Sequence, residues 1–204
     1  NKYERGYFHK GYLMIAIIDC GGANLRSVSY ALEKLNIDYH ICNKKNQIKD
    51  AEALVLPGVG AAKNVMNTLK NQDLTETIKN FKNPILGICV GMQILYEYSD
   101  EENEICLGMI PGRVKKFQNN NLIVPQMGWN KVEFNNSSFD DCDGYYYFAN
   151  SYYADINSFT KGSSIYGHEF SSFIQKDNLY GVQFHPEKSS YQGEKFLKKF
   201  FELI

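Results

Sequence analysis

The chain has 204 residues, 44% of them hydrophobic and 22% charged, with a formal net charge of −1. Those values fit a globular protein with a substantial core, and near-neutrality leaves no electrostatic footprint for nucleic acid or an anionic membrane. No apolar run approaches the ~20 residues needed to span a bilayer.

Asn1–Leu13 is polar and aromatic, with neither the apolar core nor the cleavage pattern of a signal peptide. Met14 then opens a clean apolar run, so residues 1–13 read as a leader (tag or extension) and residues 14–204 as a single domain. Ile15–Asp19 predicts a buried strand. Asn24–Leu35 predicts a helix, with Leu25, Val28, Leu32 and Leu35 at helical spacing. Strands at Asp38–Cys42 and Ala53–Leu56 follow, the second ending in Pro57-Gly58-Val59-Gly60. Helices are expected at Ala61–Lys70 and Leu74–Phe81, a strand at Pro84–Ile88, and a helix at Met92–Tyr98. Strand–helix alternation with short connections implies right-handed crossovers and a parallel sheet.

After Gly112 the pattern shifts to short aromatic and β-branched strands: Arg113–Phe117, Trp129–Phe134, Tyr145–Phe148, Tyr152–Asp155, Ser171–Ile174 and Leu179–Phe184. This half is expected to be antiparallel or mixed, with Asn119-Asn120-Asn121 and Asn135–Gly144 as surface loops. Gly193–Ile204 closes the chain as an amphipathic helix. The expected fold is α/β, an open, mostly parallel (mixed) sheet flanked by helices.

The five cysteines, Cys20, Cys42, Cys89, Cys106 and Cys142, are odd in number and contain no C-x-x-C pair. That speaks against a disulfide framework and a zinc site, and fits a reducing cytoplasm. The four histidines show no metal-ligand spacing either, so neither metal nor cofactor is implied. Four cysteines read as core residues. Cys89 differs, because Gly87 and Gly91 flank it between an apolar strand and a helix. Small neighbours let a sharp turn present its central side chain, and a helix start behind a thiol favours its nucleophilic form. His185-Pro186-Glu187 supplies a base and a carboxylate. Read as an extended segment, it puts residues two apart on one face, so that Glu187 reaches the imidazole. Backbone N–H groups of Gly58, Val59 and Val90 are candidates for an oxyanion hole. The glycine turn lacks the Gly-Lys-Ser/Thr ending of a phosphate loop.

Gly87-Ile88-Cys89-Val90-Gly91-Met92-Gln93, Pro57-Gly58-Val59-Gly60 and Gln183-Phe184-His185-Pro186-Glu187-Lys188-Ser189 together resemble the class I glutamine amidotransferases. Within that class, Pro125-Gln126-Met127-Gly128-Trp129-Asn130 and Leu107–Val114 look like the glutaminase subunits of imidazole glycerol phosphate synthases. The resemblance runs from about Ile15 to the C-terminus. It implies hydrolysis of L-glutamine to glutamate and ammonia, with Cys89 as nucleophile, His185 shuttling protons and Glu187 orienting it. By motif position, Gly60, Gln93, Glu101, Ser151 and Tyr152 would hold the glutamine. Asn24, Met127, Trp129, Tyr147 and Lys188 would face a (βα)8-barrel cyclase, the other half of a cytoplasmic heterodimer in histidine biosynthesis.

The sequence departs from the family pattern at Cys20, where Tyr is usual, at Ala23, where Gly is usual, and at Asn150, where His is common. These bear on the glutamine pocket and the partner rather than on the triad. Two other readings stay open at this level. One is a paralogous glutaminase feeding another synthetase, such as a surface-sugar amidotransferase. The other is a catalytically silent binding subunit, which would have no need of all three triad residues.

Overall fold

The computed structural model describes residues 14–21, 24–58, 60–118 and 122–204. The leader, Ala23, Val59 and the triple-Asn segment therefore lie outside the described residues. In chain order the elements are β1 (Met14–Ile18), α1 (Leu25–Lys34), β2 (Asp38–Cys42), β3 (Ala53–Leu56), α2 (Ala62–Asn71), α3 (Thr75–Lys79), β4 (Ile85–Ile88) and α4 (Val90–Gln93). Then come β5 (Tyr96–Ser99), β6 (Glu104–Ile105), β7 (Ile110–Lys116), β8 (Gln126–Phe134), β9 (Gly144–Asn150), β10 (Tyr152–Ala154), β11 (Thr160–Tyr166), β12 (His168–Lys176), β13 (Leu179–Val182) and α5 (Ser190–Glu202).

The main sheet runs β2-β1-β3-β4-β13-β12-β10-β7-β5-β6, with β11 and the β8–β9 hairpin attached through β12. Its first five strands are mutually parallel. Beyond β13 the pairing turns antiparallel, apart from β5 on β7. Strands β3, β4 and β13 are buried at every position, as expected where helices cover both faces of a parallel sheet. From β1 the chain crosses one way to β2, and from β3 it crosses the other way to β4. Right-handed crossovers in opposite directions put α1 and the α2–α3 pair on opposite faces. The carboxyl ends of β1, β3, β4 and β13 consequently share one edge, where open α/β sheets build their sites.

Three expectations need correcting. The helix predicted over Met92–Tyr98 stops at Gln93, and Tyr96–Ser99 is a strand paired with Ile110–Val114. Tyr96 and Ser99 are buried while Glu97 is exposed, so cross-strand aromatic packing overrides the apolar run that mimics a helix. The helix predicted over Leu74–Phe81 shrinks to Thr75–Lys79. The segment Asn135–Gly144 is not simply a surface loop. It buries Phe139 completely, 4.9 Å from the ring of Phe173 and 5.1 Å from that of Phe196. That aromatic cluster, with Phe134, Phe148, Phe170 and Phe184, joins the hairpin and α5 to the sheet. Strand β11 carries no strong sequence pattern and is set by pairing with its neighbours.

Candidate active site

Cys89 is the first residue beyond β4, and its backbone adopts φ 54°, ψ −110°. A non-glycine residue there stores strain of about 1–3 kcal/mol, which the surroundings must hold. They do so from several sides. The Cys89 N–H donates to the Val182 carbonyl at the end of β13 at 2.7 Å. A β-carbon at Gly91 would lie 1.8 Å from the Leu56 carbonyl oxygen, and one at Gly58 would lie 2.4 Å from the Gly91 nitrogen. Glycines thus let the end of β3 press directly against the elbow.

Val182 is in register with Ile88, so His185 follows β13 beside the cysteine. Its Nδ1 lies 2.8 Å from Glu187 Oε1, and the ring is also within electrostatic reach of the Cys89 sulfur, with Nε2 as the nitrogen left for the thiol. Both side chains are almost wholly shielded from solvent, at 2% and 0% exposure. The contact expected from an extended segment is made by a different device. Pro186–Lys188 is a 3-10 turn with His185 at its head, and the tight turn brings Glu187 back under the ring. Burial alone would lower the imidazole's proton affinity. The Cys89 sulfur and the Glu187 carboxylate together outweigh it and push the His185 pKa up to about 10.

The other four cysteines are also buried, but without such partners. Burial pushes Cys20 and Cys106 up to about 12 and Cys42 and Cys142 up to about 11. Their thiols stay protonated and serve the core.

Of the residues expected to hold glutamine, Gln93, Tyr152 and Glu101 are linked to one another. Gln93 Nε2 donates to the Tyr152 carbonyl at 3.1 Å and to Gln183 Oε1 at 2.9 Å. Both of its amide hydrogens are spent, so only the Gln93 oxygen is free for a ligand. Asn150 donates to the same Tyr152 carbonyl, and Ser151 holds β7 through its own carbonyl and the Phe117 N–H. Glu101 Oε2 accepts from the Ala62 N–H at 2.9 Å, at the start of α2 and two residues past Gly60. Burial raises the Glu101 carboxyl, the Ala62 bond opposes this, and the neighbouring Glu102 adds to it. Tyr152 is raised by burial and then by the charge of Glu101, which puts those two within electrostatic reach.

Gly58 abuts Val90, while Val59 lies outside the described residues. Met127 and Trp129 are exposed at 67% and 54% on the outer face of the β8–β9 hairpin, Trp129 packing edge-on against Tyr147. Lys188, next to Glu187 in sequence, is exposed. The inner edge of the same hairpin touches the site: the Ala149 carbonyl lies 4.0 Å from the Cys89 sulfur, and the Tyr147 carbonyl accepts from His185 N–H. Asn24 does not face outward with these residues. It is buried, and its amide donates to Glu187 Oε1. Gln183 received no role from the sequence, yet its fully buried amide donates to the Cys89 sulfur at 3.7 Å. A polar residue inside the apolar run Gly181-Val182-Gln183-Phe184 is the signal that marks it.

The family model for class-I glutamine amidotransferases matches residues 16–204. The chain is a class I glutamine amidotransferase. Among its curated relatives is the imidazole glycerol phosphate synthase subunit HisH of Haemophilus influenzae, 44% identical, covering 93% of this chain and 98% of that one. The HisH subunit of Shouchella clausii is 42% identical, with 94% and 99% covered. Solved structures share the amidotransferase's fold at lower identity. One glutamine amidotransferase superimposes with a TM-score of 0.74 at 16% identity, covering 93% of this chain and 97% of that one. A PurLQS structure from Thermotoga maritima gives 0.72 at 15%, covering 95% and 99%.

Proposed function

We propose that this amidotransferase is the glutaminase subunit of an imidazole glycerol phosphate synthase. It hydrolyses L-glutamine and passes the ammonia to a (βα)8-barrel cyclase in histidine biosynthesis. The observation that carries the chemistry is His185 held between the Cys89 sulfur and the Glu187 carboxylate. The client is supported by the HisH relatives that match nearly end to end.

In this reading the Cys89 thiolate attacks the side-chain carbonyl carbon of glutamine, forming a C–S bond. The carbonyl oxygen takes up the negative charge and accepts from backbone N–H groups of Val90 and of the turn after β3. His185, protonated by virtue of its raised pKa, donates from Nε2 to the amide nitrogen. The C–N bond breaks and ammonia leaves a glutamyl thioester. The now neutral ring takes a proton from water as the water attacks the thioester. The C–S bond breaks, glutamate departs, and the thiolate–imidazolium pair is restored. Glu187 keeps Nδ1–H engaged throughout, fixing which nitrogen faces the sulfur. Glu101 suits the α-ammonium of the substrate.

The exposed Met127 and Trp129, with the half-buried Tyr147, belong to the same hairpin that borders Cys89. A partner docked there would receive ammonia over a short path. Cys89→Ala is expected to abolish glutamate formation while leaving partner binding intact, and an active variant would sink the triad. Co-purification identifies the client: a barrel cyclase that accelerates turnover with its nucleotide ligand supports the reading. A sugar-amidating synthetase in its place would overturn the client and leave the triad standing.

A further inference from the structure

We infer that Asn24 is a positioning residue of the triad, acting through Glu187 rather than at the partner surface. The inference rests on the glutaminase reading above.

The Glu187 side chain is fully buried, and a buried carboxylate must be held by donors. Among the described residues two side-chain donors reach it, His185 Nδ1 and Asn24 Nδ2, and both arrive on Oε1. Oε2 is buried with no hydrogen-bond partner among the described residues. Asn24 therefore supplies the fixed half of the carboxylate's support, while the His185 proton belongs to a ring that cycles during catalysis. Losing Asn24 leaves Glu187 with a single donor, free to rotate or to take up a proton. Either change weakens its hold on Nδ1–H.

Asn24 also occupies the N-cap position of α1, which offers a bland explanation for an Asn there. Its side chain, however, makes no capping hydrogen bond. It turns inward, across 163 residues of sequence, to the triad. The other titratable and charged groups around Glu187 are His185 on its own turn, Lys188 beside it, and the residues lining a cavity of about 80 Å³ behind it. Those are Tyr30 and Lys34 from α1 and Glu194 from α5, the last two paired with each other at 3.2 Å.

The decisive substitution is Asn24→Asp. Asp caps a helix as well as Asn does, so a structural role predicts little change. A triad role predicts a large one, because the variant replaces a donor with a second carboxylate against Glu187. Two such groups share a proton, and the protonated form restores a donor. We expect Asn24→Asp to lower kcat by roughly 10- to 100-fold near neutral pH with little change in KM. The deficit relative to wild type should shrink toward about pH 6 and deepen toward about pH 9 as the shared proton is lost. Asn24→Ala should show a deficit that does not vary in this way.

The assay is steady-state glutaminase turnover of the full chain saturated with its barrel partner. Wild type and Cys89→Ala run alongside, and thermal melts confirm folding. An Asn24→Asp enzyme with wild-type kcat, or with a deficit flat across pH, overturns the inference. So does a deficit that appears only below partner saturation and vanishes at saturation, which would return Asn24 to the interface. A wild type that releases no glutamate instead overturns the glutaminase reading on which the inference rests.

Discussion

Gly193 sits inside α5, away from any substrate, and its replacement tests how the triad turn is held. A β-carbon there would lie 1.8 Å from the Pro186 carbonyl oxygen and 2.9 Å from the Ser189 β-carbon. Pro186 separates His185 from Glu187, so α5 is docked on the backbone of the turn that joins them. Helix propensity alone predicts that Gly193→Ala is stabilising by about 1 kcal/mol. The contact predicts the reverse, since the nearest atoms, the Pro186 carbonyl oxygen and carbon, are backbone and the helix must retreat by roughly 1 Å or more. Overpacking of this kind costs up to about 3 kcal/mol, giving a net loss of about 2 kcal/mol. For a chain of this size that lowers the melting temperature by about 4–8 °C. The His185–Glu187 bond of 2.8 Å leaves little slack, and a displacement of about 1 Å at a catalytic group costs on the order of 100-fold in kcat. Thermal denaturation and steady-state glutaminase kinetics on the same preparation read both effects. A Gly193→Ala variant more stable than wild type, or equally active, would refute the argument.

The pH dependence of stability follows from His185. Its folded pKa of about 10 lies above the unfolded value of about 6.5, so its contribution is complete below the lower figure and is lost as pH rises through the upper one. Denaturation midpoints of wild type and His185→Gln should therefore converge between those pH values. A constant gap across the window would contradict the assignment. Trp129 is more than half exposed, so Trp129→Ala should change the stability of the isolated chain by no more than about 0.5 kcal/mol. The same substitution should weaken partner binding by about 2 kcal/mol or more, measured by calorimetric titration, and unchanged affinity would remove Trp129 from the interface.

The sequence by itself determined what depends on near neighbours. The glycines around Cys89 mark the elbow because a strand-to-helix turn must be sterically open within a few residues. The apolar runs of β1, β3 and β4 mark the parallel strands because both faces of each are buried. His185 and Glu187 can be paired because they stand two residues apart, although the turn that joins them is 3-10 rather than extended. Tyr96–Ser99 differs from its sequence pattern for a related reason: a short apolar run suits a helix or a strand until a partner strand selects one. Only the tertiary structure decided the rest. Asn24 is N-terminal to α1 and Glu187 follows β13, and nothing local connects them. Gln183 reaches Cys89, and Gly193 meets Pro186, through contacts whose existence depends on the order of strands and the seat of α5. Residue types fix which chemistry is available. Which side chains share it is fixed by the sheet, because parallel strands bring distant segments to a common edge.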